Sequence, residues 1–189
     1  MDPRNGKVKA YVGGPDFSHF QYDMVNIGRR QVGSTIKPYL YTQAMSEGYW
    51  PCDKTINQPI TIIAGDGSEW SPRNSSKTHI GEEVTLRWGL TTSNNWISAY
   101  VISQLTTPKQ FANILRSFGL RGEIVPDYSL CLGPCEVSVA EMVDAYTTFP
   151  NKGIRINPIY VTRIEDNNGN LIASFTPTTT EVINEETSY

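Results

Sequence analysis

Residues 31–38 read Gln31-Val32-Gly33-Ser34-Thr35-Ile36-Lys37-Pro38, and this stretch organises everything around it. From Ser34 to Gly48 the pattern predicts a helix, with Ile36, Leu40, Ala44 and Met45 near one face and Gly48 where it stops. Ser34 and Lys37, three apart, then project from one face of the first turn, within reach of each other. A serine hydroxyl is a poor nucleophile until its proton is removed. A lysine can remove it only as the neutral amine, which requires burial and nearby positive potential. The helix N-terminus supplies such potential and offers free N–H groups to an oxyanion. Gly33 lets the chain turn into the helix with no side chain over the serine. Taken alone, Ser-x-x-Lys is common by chance, and a capped helix with a solvated lysine is its favoured reading.

About sixty residues further on, Ser93-Asn94-Asn95 lies at the junction of two predicted helices, 84–92 and 95–105. In the second, Ile97, Val101 and Leu105 recur every four residues. As local structure, Asn95 would serve as an N-cap. As chemistry, Ser93 would be a second hydroxyl that relays a proton, and Asn95 an amide that clamps a peptide-like substrate.

Further out, residues 7–12 alternate polar and apolar as a half-buried strand does, after an Asn5-Gly6 hairpin turn and before Gly13-Gly14. Too little chain precedes that turn for a partner strand, so the domain is expected to begin upstream of Met1. Residues 49–82, rich in Pro, Gly, Asn and Ser, predict a long irregular excursion. Thr107-Pro108-Lys109-Gln110 and Ser138-Val139-Ala140-Glu141 are capping boxes, each ahead of apolar residues at helical spacing. Segments 156–165 and 171–175 flank Asn167-Asn168-Gly169 and predict a hairpin, whereas the polar stretch from Pro177 to Tyr189 offers no closing element. The expected architecture is a mainly helical body with hairpins at both ends, both ends being cut points in a longer domain.

The 189 residues allow one compact domain or part of a larger one. With 16 Lys and Arg against 19 Asp and Glu the net charge is −3, far from the basic face of a nucleic-acid binder. No apolar run approaches the roughly 18 residues of a membrane span, and Met1-Asp2-Pro3-Arg4 does not begin a signal peptide. His19 and His79 stand away from any cysteine cluster, so no metal site is expected. Buried or half-buried thiols are the favoured reading of Cys52, Cys131 and Cys135, with a Cys131–Cys135 bridge left open.

Several ordered motifs carry a family resemblance. Val12-Gly13-Gly14-Pro15-Asp16-Phe17 resembles Gly-Gly-x-Asp-Phe, and Asn26 with Arg29-Arg30-Gln31 resembles the Asn…Arg-Gln lead into Gly-Ser-x-x-Lys-Pro. Trp70-Ser71-Pro72-Arg73-Asn74 resembles a Pro-x-Asn element, and the run from Leu86 to Asn95 resembles Leu-Arg-x-x-Leu-x-x-Ser-x-Asn. Leu130-Cys131-Leu132-Gly133 with Val137-Ser138, and the run from Ala145 to Gly153, resemble Leu-x-Leu-Gly…Val-Ser and Ala-Tyr-x-x-Phe-x-Asn-x-Gly. All of these belong to the transpeptidase domain of bifunctional class A penicillin-binding proteins. One departure stands out. The family's third motif, Lys-Thr-Gly or Lys-Ser-Gly, is absent; the only lysine after Gly133 is Lys152, followed by Gly153-Ile154. Family order puts that motif beyond Tyr189.

The resemblance implies an α+β fold, a partial penicillin-binding-protein or serine β-lactamase-like transpeptidase: the helical body with an incomplete antiparallel sheet, 1–189 being the N-terminal and central part. It implies a D,D-transpeptidase in which Ser34 attacks, Lys37 is the base, Ser93 the proton relay and Asn95 a ligand to the substrate amide. It implies no metal and no cofactor. Its partners would be peptidoglycan stem peptides ending in D-Ala-D-Ala and β-lactams, with no nucleic acid. A glycosyltransferase domain and a transmembrane anchor would lie upstream, placing the site on the outer face of the cytoplasmic membrane. Self-association of the chain through an unpaired strand edge stays open. A β-lactamase or β-lactam sensor, and a non-catalytic binding module, remain the alternatives.

Overall fold

The computed structural model describes all 189 residues, Met1–Tyr189. In chain order, β1 (Arg29–Gln31) leads into a 3-10 turn (Gly33–Ile36) and α1 (Lys37–Ser46). Four short strands follow: β2 (Lys54–Ile56), β3 (Ile62–Ile63), β4 (Glu69–Trp70) and β5 (Glu83–Thr85). Then come α2 (Leu86–Thr91), α3 (Asn95–Tyr100) running into a π-turn (Val101–Leu105), α4 (Pro108–Ser117) and a 3-10 turn (Tyr128–Leu132). The remainder is β6 (Glu136–Ser138), α5 (Val139–Thr147), β7 (Ile154–Ile156), β8 (Arg163–Glu165), β9 (Leu171–Ser174), β10 (Thr179–Glu181) and α6 (Glu185–Ser188). The fold is α+β, with every strand in a two-stranded pair.

Two compact units divide the chain: Arg30–Ser117 with Arg121–Val137, and Met1–Arg29 with Phe118–Leu120 and Ser138–Tyr189. The first holds the site. Its core is built by Ile36, Tyr39, Leu40 and Ala44 from the start of the chain's first helix, Ile97 and Ile102 around α3, and Phe111 and Leu115 from α4, all buried. Local chemistry starts each of these helices. Pro38 occupies the first turn of α1, where a missing N–H costs nothing. The Thr85 hydroxyl accepts the Trp88 N–H at the head of α2. At α4 the Thr107 hydroxyl accepts the Gln110 N–H at 3.2 Å, as the capping pattern predicts. The excursion 49–82 is less irregular than expected. Its β3 and β4 form an antiparallel pair (Ile62↔Trp70), and its β2 pairs with β5 (Thr55↔Val84), which takes the start of the helix expected from 84. Ladders of two or three residues are too short to leave a period-two signature in sequence.

In the second unit, α5 carries the predicted capping box in full. The Ser138 hydroxyl accepts the Glu141 N–H, and the Glu141 carboxylate accepts the Ser138 N–H at 2.8 Å. Three expectations are corrected here. Residues 7–12 form no strand: Lys7 makes a single parallel bridge to Ile159, and the Asn5-Gly6 turn closes locally through Asp2 N–H to the Lys7 carbonyl. The hairpin at 167–169 is real, but its first arm is only β8; residues 154–156 pair instead with β10 (Ile156↔Thr179). The polar stretch from Pro177 does close, through β10 and an α6 capped by Asn184. All three cysteines are free, so Cys131 and Cys135 are not bridged; those two are buried as expected, whereas Cys52 is exposed, against the favoured reading.

One close approach fixes the turn that presents Ser34. Gly33 (φ +55) donates its N–H to the Gly133 carbonyl at 2.9 Å, and Val32 donates to the Cys135 carbonyl at 3.1 Å. Gly133 has φ +72, and a Cβ there would overlap the Gly33 backbone. Gly48 also has positive φ, +97, but a Cβ there meets nothing. Gly48→Ala should therefore cost only left-handed strain, about 1–2 kcal/mol, whereas Gly133→Ala adds a backbone clash and costs at least twice as much. Thermal melts of the two variants check this, and equal losses would contradict it.

Candidate active site

The site is assembled from the turn before α1, the buried base of α1, and the α2–α3 junction. Ser34 lies in the 3-10 turn with its side chain exposed. Its carbonyl accepts the Lys37 N–H, but neither its hydroxyl nor its own N–H is engaged by another protein group. A hydroxyl and an adjacent free N–H at a helix start are the groups that an attack on a carbonyl and a developing oxyanion require.

Lys37 is the opposite case. It is only 1% exposed, and its Nζ donates to the Ser93 carbonyl (2.6 Å), the Ser93 hydroxyl (3.0 Å) and the Asn95 Oδ1 (2.7 Å). Three N–H bonds meet three acceptors, so the buried ammonium is fully satisfied. Burial penalises that charge and brings its pKa down to about 8, with Cys131 pulling weakly the other way. Burial likewise pushes the Cys131 thiol up to about 12, which keeps it neutral.

The α2–α3 junction is shaped to meet this ammonium. Ser93 has φ +53, a left-handed conformation unusual for a residue with a side chain. That conformation turns both its carbonyl and its hydroxyl onto one Nζ. The N-cap of α3 is Asn94, not Asn95: its Oδ1 accepts the Trp96 and Ile97 N–H groups at 2.9 and 3.1 Å. Relieved of capping, Asn95 aims its Oδ1 at Lys37 and donates its Nδ2 to the Arg73 carbonyl at 2.8 Å. The Asn95 N–H goes to the Asn74 Oδ1 at 3.0 Å, and the Trp96 indole N–H to the Pro72 carbonyl at 3.0 Å. Residues 72–74 thus fasten across the start of α3.

The structure therefore brings Lys37, Ser93 and Asn95 into one cluster. Lys37 makes no hydrogen bond to Ser34, because all three of its protons already have acceptors. Asn95 keeps one amide proton and one lone pair free of the partners named above.

The profile of the penicillin binding protein transpeptidase domain matches residues 1–188. This chain belongs to the penicillin-binding protein transpeptidase family. Penicillin-binding protein 1A of Rickettsia conorii is 36% identical over 173 residues, 91% of this chain, and that of Pseudomonas aeruginosa 29% over 178 residues, 94% of this chain. The chain spans 22% of the length of these curated relatives. Among solved structures, penicillin-binding protein 1A from Haemophilus influenzae superposes with a TM-score of 0.86 at 30% identity, covering 95% of this chain and 27% of that one. Penicillin-binding protein A from M. tuberculosis, solved as an imipenem acyl-enzyme complex, shares the fold with a TM-score of 0.74 at 15% identity, over 87% of this chain and 42% of that one.

Within this transpeptidase family member, sequence reasoning singled out Ser34, Lys37, Ser93 and Asn95 but missed what holds them. Asn94 was indistinguishable from Asn95 as a cap, since the two are adjacent and identical. The Ser93 backbone has no sequence signature. Gly133 carried one in retrospect, a glycine ending a 3-10 turn, where positive φ is common.

The strain at Ser93 is testable without chemistry. Ser93→Ala and Ser93→Gly both remove the hydroxyl, and only glycine relieves the left-handed backbone. Ser93→Gly should be more stable than Ser93→Ala by about 1 kcal/mol. Chemical denaturation measures the difference, and a more stable alanine variant would contradict the assigned conformation.

Proposed function

We propose that this chain is the N-terminal and central part of a D,D-transpeptidase domain and carries its serine acyl-transfer site. The observation behind the reading is the buried Lys37, held by Ser93 and Asn95 three residues after an unengaged serine. Nothing in the packing of a helical body calls for a lysine in that position. A scaffold role would be served better by an apolar residue of the same volume.

In this reading Ser34 Oγ attacks the penultimate D-alanine carbonyl of a stem peptide, and its proton passes toward the Lys37 amine. The tetrahedral oxyanion is met by the Ser34 N–H. Collapse breaks the peptide bond, and the proton returns to the departing D-alanine nitrogen. An amine of a second stem then attacks the acyl-serine carbonyl. Its C–N bond forms as the ester C–O bond breaks, and its proton passes by way of Lys37 to the departing Ser34 Oγ. β-Lactams acylate the same oxygen through their strained amide.

Ser93 suits the relay on geometric grounds. Once Lys37 is neutral it has two protons and a lone pair for three partners. The Ser93 carbonyl and the Asn95 Oδ1 can only accept, whereas a hydroxyl can reverse and donate. The Ser93 hydroxyl is thus the partner able to carry a proton to and from Nζ. Asn95 supports the lysine first; its remaining amide proton and lone pair are what it can offer a substrate amide.

The family's Lys-Thr-Gly element is not among these 189 residues, and with it would come a further oxyanion donor. Loss of one such donor costs about 10²–10³-fold. The chain alone should therefore acylate more slowly than the full-length protein by at least that factor. The substrate class, the location on the outer face of the cytoplasmic membrane, an upstream glycosyltransferase and an anchor are part of the same proposal. No helix of the chain is itself long and apolar enough to cross a membrane.

The full-length protein labelled with a fluorescent penicillin tests the reading. Ser34→Ala should abolish labelling, and Lys37→Ala should slow it by about 10²–10⁴-fold. Lys37→Arg should do no better, since a guanidinium keeps its proton. Wild-type labelling of Ser34→Ala would refute the assignment. Loss of the label by hydrolysis within seconds would mark a β-lactamase instead.

The lowered lysine pKa also sets a pH dependence. A lysine titrating near 8 is about one-tenth neutral at pH 7, against roughly 0.04% at its ordinary value. The acylation rate should climb about tenfold per pH unit below 8 and level off above it. A rate still climbing steeply between pH 9 and 10 would show an ordinary lysine.

A further inference from the structure

Two asparagines that the proposed chemistry does not use form the most buried polar pair near the site. Asn57 is 0% exposed and Asn94 1%. The Asn94 Nδ2 donates to the Asn57 Oδ1 at 2.9 Å. The Asn57 Nδ2 donates to the Thr78 and His79 carbonyls, both at 3.0 Å. Its backbone is tied as well: its N–H goes to the Glu82 carbonyl, and its carbonyl accepts the Gly81 N–H. Asn57 is thus clamped to the 78–82 loop by every polar atom it has, apart from the one acceptor it presents to Asn94. That clamp makes it a fixed point.

Asn94 is fixed in turn. Its N–H goes to the Gly89 carbonyl, its Oδ1 caps α3, and its carbonyl accepts the Ser98 N–H and hydroxyl. In sequence it stands between Ser93 and Asn95, the two residues whose oxygens hold Lys37 Nζ. A shift of Asn94 moves both neighbours at once. Capping α3 needs only its Oδ1; the second amide arm is what reaches Asn57. A serine or an aspartate would cap as well, so the choice of asparagine answers to Asn57 rather than to the helix.

We propose that Asn57 and Asn94 are positioning residues that lock the α2–α3 junction so that Ser93 and Asn95 hold the Lys37 amine in its dry, base-competent place. The inference rests on the acyl-transfer reading above and adds to it two residues that touch no reacting atom. The titratable group facing Lys37 from a neighbouring element is Cys131, a neutral thiol, so a change at Asn94 alters hydration of Nζ and not its charged surroundings. Loosening the junction admits water, and water favours the ammonium.

The test uses the full-length protein, the fluorescent penicillin and rates across pH. Asn94→Ser keeps the helix cap and removes only the arm to Asn57. It should slow acylation at pH 7 by about tenfold or more and move the midpoint of the pH–rate profile upward. Asn57→Ala breaks the same link from the other side and should move the midpoint the same way. It carries the test should Asn94→Ser fail to fold. The double variant should be little worse than the worse single, as for two halves of one link. Leu115→Ala, a buried change in α4, should lower the melting temperature and leave the midpoint where it is. Folded single variants whose midpoints match the wild type would overturn the proposal. Loss of the fold in both would overturn it too, because the pair would then be a folding determinant. Absence of any Ser34-dependent labelling in the wild type would instead remove the acyl-transfer reading on which it rests.

Discussion

A lysine ammonium that is almost wholly out of water must find an acceptor for each of its protons, because an unpaired buried charge costs several kcal/mol. Lys37 finds three, all from Ser93 and Asn95. Much of the first unit can be understood as the means of bringing those acceptors to one point. The α2–α3 junction bends through a left-handed Ser93, Asn94 takes over the cap, and the 72–74 segment pins Asn95 from outside. On the other side, the close Gly33–Gly133 approach settles where Ser34 sits relative to the same helix.

Satisfying the ammonium and lowering its pKa pull in opposite directions. Hydrogen bonds to the charged form stabilise it, while desolvation destabilises it. Here desolvation dominates, and no carboxylate is among the acceptors. An aspartate in place of Asn95 would tip the balance and hold Lys37 charged. The left-handed Ser93 belongs to the same compromise: about 1–2 kcal/mol of backbone strain is retained where it directs two oxygens of one residue onto one nitrogen. Such strain is tolerated where the surrounding structure over-determines it.

The parts legible in sequence were those governed by near neighbours. The capping patterns at Thr107–Gln110 and Ser138–Glu141 announced α4 and α5 because cap and partner are three residues apart. The Ser34–Lys37 spacing and the Ser93–Asn95 turn were visible for the same reason, and family motifs supplied the link between them. What failed was what depends on distant partners. Residues 7–12 alternate like a strand, but a strand exists only where a neighbour pairs with it, and here one bridge to Ile159 is all that forms. Ile156, expected to open the hairpin arm 156–165, pairs instead with Thr179. The Asn95 Oδ1 also holds Lys37, a contact spanning 58 residues that no local pattern encodes.

The site depends on one quantity, the protonation equilibrium of the Lys37 amine. Lysine labelled with carbon-13 at Cε, observed by NMR as pH is raised, reports it directly, with Lys37→Arg identifying the signal. The Lys37 resonance should titrate with a midpoint near 8, well below the ordinary lysine value of about 10.4. A Lys37 midpoint at or above about 10 would contradict it.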